Sequence, residues 1–229
     1  MTALALAAAL AYAPQPAFQA GELVRLPTRA HVVALTFDGG ADAGGAERVL
    51  ATLRARRVPA TFFVTGAWVR RYPGLARAIG RSFAVGDHTV DHAVLPGLSS
   101  AAVKREIVLG ARQLRAATGR DPGPLFRFPY GARDARTLAI ARALGYVSIR
   151  WTVDTWGWMG RSVQSPQRAL RRVVAHLRPG AIVMMHLGAA RDGSTIDAHA
   201  LPAVIDAVRA RGYRFVTLAR VRPPGSGNR

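Results

Sequence analysis

From Ala30 to Leu218 the chain repeats one pattern, and that pattern limits its fold more than any other feature. A short run of β-branched or aromatic residues is followed by a longer Ala-, Arg- and Leu-rich stretch at helical spacing. The short runs predict strands at Val32–Phe37, Thr61–Val64, Phe83–Val85, Leu125–Phe128, Tyr146–Val153, Ile182–His186 and Arg214–Leu218. The longer stretches predict helices at Ala46–Arg57, Gly74–Arg81, Ser100–Thr118, Ala135–Leu144, Pro166–Leu177 and Leu201–Arg211. Several helices stop at a glycine just before the next strand, as at Gly145-Tyr146, Pro179-Gly180 and Gly212-Tyr213. Strands that alternate with helices build a mostly parallel sheet. With no midpoint break, the expected fold is α/β, a distorted (β/α) barrel of about seven parallel strands. A doubly wound open sheet is the alternative, but no dinucleotide or phosphate loop follows a strand: Gly39-Gly40 and Gly44-Gly45 fit neither pattern.

At 229 residues the length suits one catalytic-size domain, expected over 23–222. Met1–Leu10 is uncharged and rich in Ala and Leu, like the apolar core of a secretory signal, although no basic residue precedes it. Residues 1–22 are therefore expected to be a signal-like segment and linker, and export outside the cytoplasm follows. The apolar run is too short for a membrane span. The Pro/Gly/Ser-rich end, 223–229, reads as a flexible tail.

There is no cysteine, which excludes thiolate zinc sites, cysteine nucleophiles and disulfide scaffolds. The net charge is +19, from 32 basic and 13 acidic residues. Lys104 is the only lysine among the 32, so the other 31 are arginine. The longest arginine runs are pairs, such as Arg70–Arg71 and Arg171–Arg172. Two readings stay open: attraction to an anionic polymer such as cell wall, or a scattered arginine surface produced by coding bias. The sequence signatures of zinc fingers, RNP motifs and basic zippers are absent, so no nucleic-acid partner is expected.

Functional groups of a parallel barrel gather at the C-terminal ends of its strands. Here those ends read Thr36-Phe37-Asp38-Gly39-Gly40, Gly86-Asp87-His88-Thr89-Val90-Asp91-His92, Arg127-Phe128-Pro129-Tyr130-Gly131, Trp151-Thr152-Val153-Asp154 and Met184-Met185-His186. His88 and His92 are four apart, so a helical segment would turn both imidazoles to one side. They are either two ligands of a divalent metal or two hydrogen-bonding histidines. A catalytic metal usually takes three protein ligands, so the first reading requires a carboxylate near Asp38. Asp38 alone is equally a turn former, His186 equally a core histidine, and a buried Arg127 needs an acid partner such as Asp154.

Taken in order, these segments resemble the polysaccharide deacetylases, carbohydrate esterase family four. Thr36-Phe37-Asp38-Gly39 matches the family's T-F-D-D, His88-Thr89-Val90-Asp91-His92 its H-[ST]-x-x-H, and Arg127-Phe128-Pro129-Tyr130 its R-x-P-Y. The segment around Asp154-Thr155-Trp156-Gly157-Trp158 matches the Asp-Trp motif, and Met184-Met185-His186 the apolar run ending in His. The resemblance implies a metal-dependent hydrolase that removes acetyl groups from an N-acetylated polysaccharide, peptidoglycan or chitin-type. It implies Asp38 as general base, His88 and His92 as ligands of a divalent ion such as zinc, Arg127 as the group holding the base, the Tyr130 N–H as an oxyanion donor and His186 as general acid. Trp156 and Trp158 are candidates to stack on sugar, with core packing as the other reading.

Two positions depart from the family. Gly39 stands where a metal-binding aspartate is expected; Asp42 is the candidate substitute, and water is the other. Gly157 stands where the acid that orients the catalytic histidine is expected, and Asp154 is the nearest replacement. A non-catalytic glycan-binding barrel and a related amide hydrolase remain as alternatives.

Overall fold

The computed structural model describes residues 17–40 and 42–222. The signal-like reading of Met1–Leu10 and the tail at 223–229 lie outside the described residues. The stretch from Ala17 is not a linker. Strands β1 (Phe18–Gln19) and β2 (Glu22–Leu23) form an antiparallel hairpin. Glu22 is buried, accepting from Ser148 Oγ at 2.8 Å and pairing with Arg133 Nε at 2.7 Å. The domain therefore begins before residue 23.

The chain then runs β3 (Val32–Gly39), α1 (Ala46–Ala55), β4 (Thr61–Val64), α2 (Gly66–Arg71), α3 (Pro73–Ser82), β5 (Ala84–Asp87) and α4 (Ser100–Thr118). It continues β6 (Leu125–Phe126), α5 (Ala135–Ala143), β7 (Val147–Ser148), β8 (Val153–Asp154), α6 (Pro166–Ala175), β9 (Ala181–His186), α7 (Ile196–Ala210) and β10 (Arg214–Val216). The sheet path is β7-β6-β5-β4-β3-β9-β8, all parallel, with β10 against the first residues of β3. The seven-strand path curls into a half-barrel with helices outside. Helices stop where glycines were expected to stop them: Gly145 and Gly212 have φ of 84° and 76°, a region costly for any residue with a Cβ.

The predicted strand Tyr146–Val153 is two strands. Leu23 bridges Ile149 in parallel and Arg25 bridges Ala181 in antiparallel fashion, so the N-terminal segment fills the gap between β7 and β9. That insertion leaves β8 to pair with β9 alone. Helix α2 was not anticipated, because at Gly66–Arg71 it is too short to show a period. Helix α7 starts five residues before the predicted Leu201 and runs through Pro202.

β3 is buried along its whole length, as the central strand of a sheet covered on both faces. Its residues alternate. Val33, Leu35 and Phe37 join the large core under the helices, with Val183, Met185, Leu201 and Ile205. Ala34 turns inward and packs with Leu23, Phe63, Leu125, Ile149, Ile182 and Leu218, which plug the barrel. By the same period Asp38 belongs to the inner face and opens above that plug.

Candidate active site

β3 and β9 are in register, with Asp38 directly opposite His186. The two groups expected to act as base and acid are thus neighbours on adjacent strand ends, on one face of the sheet. Arg127 follows β6 by one residue and is 1% exposed. Its Nη1 donates to Asp38 Oδ1 at 2.5 Å and to Thr36 Oγ1 at 3.0 Å. Nε and Nη2 donate to the carbonyls of Ile149 and Arg150. The guanidinium lies over the Phe63 ring, 4.1 Å from its centroid. A buried charge needs this degree of satisfaction. Burial alone would raise the Asp38 carboxyl, but Arg127, with His88 and His186 nearby, holds it below the usual carboxylate value. Arg127 therefore takes Asp38 as its partner, not Asp154.

His88 and His92 do not lie on a helix. The chain from 88 to 94 is irregular, and Thr89 and His92 have φ of 71° and 60°. These two left-handed residues fold the loop so that the Nε2 atoms come within 3.2 Å of each other. His88 Nδ1 lies 2.8 Å from the Arg127 carbonyl oxygen. A carbonyl only accepts, so the proton sits on Nδ1 and the Nε2 lone pair faces the cavity. Burial lowers both imidazoles, and with His88 beside it His92 falls to about 3, so both are neutral.

These donors fit a divalent ion held by two histidines. At a zinc–nitrogen distance of about 2.0–2.1 Å, two tetrahedral ligands stand roughly 3.3 Å apart, and the observed gap is 3.2 Å. A third protein ligand is not gathered: among the described residues no group of three His, Asp or Glu side chains is set to hold a metal. Asp42 is not on the cavity wall, and one of its oxygens is engaged by backbone. Its Oδ1 accepts from the backbone N–H of Gly44 at 2.7 Å and of Ala189 at 2.9 Å. A Cβ at Gly39 would point outward, 3.0 Å from Val64 Cγ1 and 3.1 Å from Leu187 Cδ1. The nearest carboxylate is Asp38, whose Oδ2 lies 3.9 Å from His88 Nε2.

Asp154 does not orient His186. Its Oδ1 accepts from Trp156 N at 2.8 Å and its Oδ2 from Trp158 Nε1 at 3.1 Å. The acid beside His186 is Asp197, in the first turn of α7. Its Oδ2 accepts from the His186 backbone N–H at 2.8 Å and lies 3.4 Å from His186 Nδ1. Burial works against a charge on His186. Asp197, helped by Asp38 and Asp154, outweighs it and raises the imidazole above its ordinary value. Sequence reasoning missed Asp197. The available signal was the loss of an acid at Gly157 with a spare acid shortly after the strand of His186.

Together these groups line a cavity of about 340 Å3, with Asp38, His88, His92, Tyr130, Trp158 and His186 on its wall. Tyr130 is 70% exposed at the rim, in a turn over Pro129–Gly131, and its ring meets His92 edge-on. Trp158 lines the cavity. Trp156 does not: its ring stacks on the Arg172 guanidinium.

A buried arginine–carboxylate pair, a histidine–carboxylate pair and two neutral imidazoles converging on one cavity define a hydrolase-type site on a parallel half-barrel. The polysaccharide deacetylase family profile matches residues 25–149, and the chain belongs to that family. It is 33% identical over 199 residues to the chitooligosaccharide deacetylase of Bradyrhizobium sp. (strain ANU 289), covering 82% of this chain and 90% of that one. It is 34% identical over 187 residues to the peptidoglycan-N-acetylglucosamine deacetylase PgdA of Listeria monocytogenes, covering 81% of this chain but 38% of PgdA. Among solved structures, BA3943 of Bacillus anthracis, described as a CE4 family pseudoenzyme, superposes with a TM-score of 0.78 at 28% identity, over 88% of this chain and 68% of that one.

Proposed function

We propose that this chain removes acetyl groups from an N-acetylated glycan of the peptidoglycan or chitin type, with a divalent ion such as zinc held by His88 and His92. The observation that supports this most is the pairing of Asp38 with His186 across β3 and β9, with the two imidazoles facing them in one cavity. Asp38, kept ionised by Arg127, takes a proton from the attacking water. The water oxygen adds to the acetyl carbonyl carbon, the C=O π pair moves onto oxygen as an oxyanion, and the amide C–N bond breaks when that oxyanion collapses. The Tyr130 N–H, at the cavity rim, donates to the oxyanion. His186, protonated beside Asp197, gives its proton to the leaving amine, so acetate and a free amine result. Held by His88 and His92, a divalent ion would polarise the acetyl carbonyl and lower the pKa of water when bound. Trp158 offers its ring to the sugar. On this reading the chain works outside the cytoplasm, where its charge of +19 favours an anionic wall polymer.

The test is acetate release from N-acetylglucosamine oligomers and from peptidoglycan. Release is expected, and it is lost on chelation and in His88→Ala. No release from any acetylated glycan with metal supplied overturns the reading.

Gly39 favours a second reading, a glycan-binding barrel without turnover, because the position turns toward apolar atoms and leaves the histidine pair without a third ligand. Measurable glycan affinity with neither turnover nor bound metal is its signature.

A further inference from the structure

Gly157 is a glycine for reasons of space. Its φ is not in the left-handed region, so the backbone does not require it. What requires it is the neighbour: a Cβ built there would overlap the Asp197 carboxyl carbon and both of its oxygens. The Asp197 carboxylate, arriving from α7, fills the volume that a side chain at 157 would occupy. It is 3% exposed, and it sits in the first helical turn, where the helix dipole favours an anion. One of its oxygens holds the backbone N–H of His186 and faces the ring nitrogen turned away from the cavity. Asp154 is not available for this work, since both of its oxygens serve Trp156 and Trp158.

We infer that Asp197 is the positioning residue for His186, and that positions 157 and 197 exchange one carboxylate between two backbone origins. The acid expected on the loop after β8 has moved to α7, and the loop has lost its side chain to admit it. This inference rests on the deacetylase reading only for what His186 then does. The placement of the carboxylate stands independently of turnover.

Two consequences follow. Asp197→Asn keeps the shape and the acceptor for the His186 N–H, but removes the charge facing the ring. Gly157→Asp alone forces two carboxyl groups into one volume and should unfold at lower temperature. Combined with Asp197→Gly, Gly157→Asp should be accommodated, because the space has been vacated. Such non-additivity is the mark of two sites sharing one partner.

The experiment has two arms. The imidazole of His186 is titrated by NMR, and thermal unfolding is followed, in the wild type, Asp197→Asn, Gly157→Asp and the double variant Gly157→Asp/Asp197→Gly. In parallel, kcat and KM for acetate release are measured. The expected result is a His186 titration that moves to lower pH in Asp197→Asn and returns toward the wild type in the double variant. With it, kcat falls by about 10²-fold at little-changed KM, and the double variant recovers part of the loss. If the titration moves and returns but no variant, the wild type included, releases acetate, the positioning role stands and the deacetylase reading fails. If the wild type releases acetate and Asp197→Asn leaves both titration and kcat unchanged, the inference is overturned. A double variant no better than Gly157→Asp alone, in titration and in thermal stability, overturns the exchange.

Discussion

Arg127 Nη1 and Asp38 Oδ1 are 2.5 Å apart, and both side chains are buried, Asp38 at the cavity wall. Breaking such a pair from one side leaves a buried charge uncompensated, which costs about 3–5 kcal/mol. Arg127→Met should therefore destabilise the fold by about that amount, measured by chemical denaturation, and abolish activity. Arg127→Lys should not rescue it. An ammonium does not reproduce the fork that also reaches the Ile149 and Arg150 carbonyls. A fully active, fully stable Arg127→Lys contradicts this role.

The pH profile follows from two opposite shifts. Asp38 must be ionised to accept a proton, and its value is held below the ordinary 3.8, so the acid limb of kcat/KM should lie below that. His186 must be protonated to donate, and its value is raised above the ordinary 6.5, so the alkaline limb should lie above that. Three carboxylates face His186: Asp197 from α7, Asp38 from β3 and Asp154 from β8. The stability linked to the raised histidine is fully present below pH 6.5 and is lost as pH rises through its folded value. An alkaline limb below 6.5 in a kcat/KM profile contradicts the assignment.

On the proposed function a metal would be held by two side chains only, His88 and His92, so occupancy should depend on added metal. Titration calorimetry with zinc should give one site per chain, lost in His88→Ala and in His92→Ala. Asp42→Ala should leave that affinity unchanged while lowering thermal stability, because its Oδ1 ties the Gly44 and Ala189 backbones. Weakened zinc binding in Asp42→Ala would restore Asp42 to the metal.

The tryptophans should separate. Trp158→Ala removes an aromatic wall of the cavity and should raise KM by about 2- to 10-fold, for a stacking contribution of 0.5–1.5 kcal/mol. Trp156→Ala, whose ring is covered by Arg172, should change KM little. Steady-state kinetics on a glycan oligomer checks both, and equal effects contradict the assignment.

The strand ends were legible in the sequence because strand signals and chemistry coincide there. Asp38, Arg127 and His186 each sit where an apolar run stops, and the register of β3 and β9 brings the first and last together. The loop of His88 and His92 was legible as a pair but not as a shape, since spacing of four suggests a helix while Thr89 and His92 adopt positive φ. Asp197 was hidden for a different reason. The predicted helix begins at Leu201, which leaves Asp197 ahead of it. Helix α7 instead runs through Pro202, and the turn it adds carries the acid. Asp154 misled because it is the nearest acid in sequence, whereas the contact is made across the fold.

On the proposed function, Asp38 drives acetyl hydrolysis at this cavity. Acetate released from N-acetylglucosamine oligomers, measured with saturating zinc for the wild type and Asp38→Asn, tests it most directly. Steady release by the wild type and a rate at least about 10²-fold lower in Asp38→Asn are expected. No release by the wild type, or equal release by both, would contradict it.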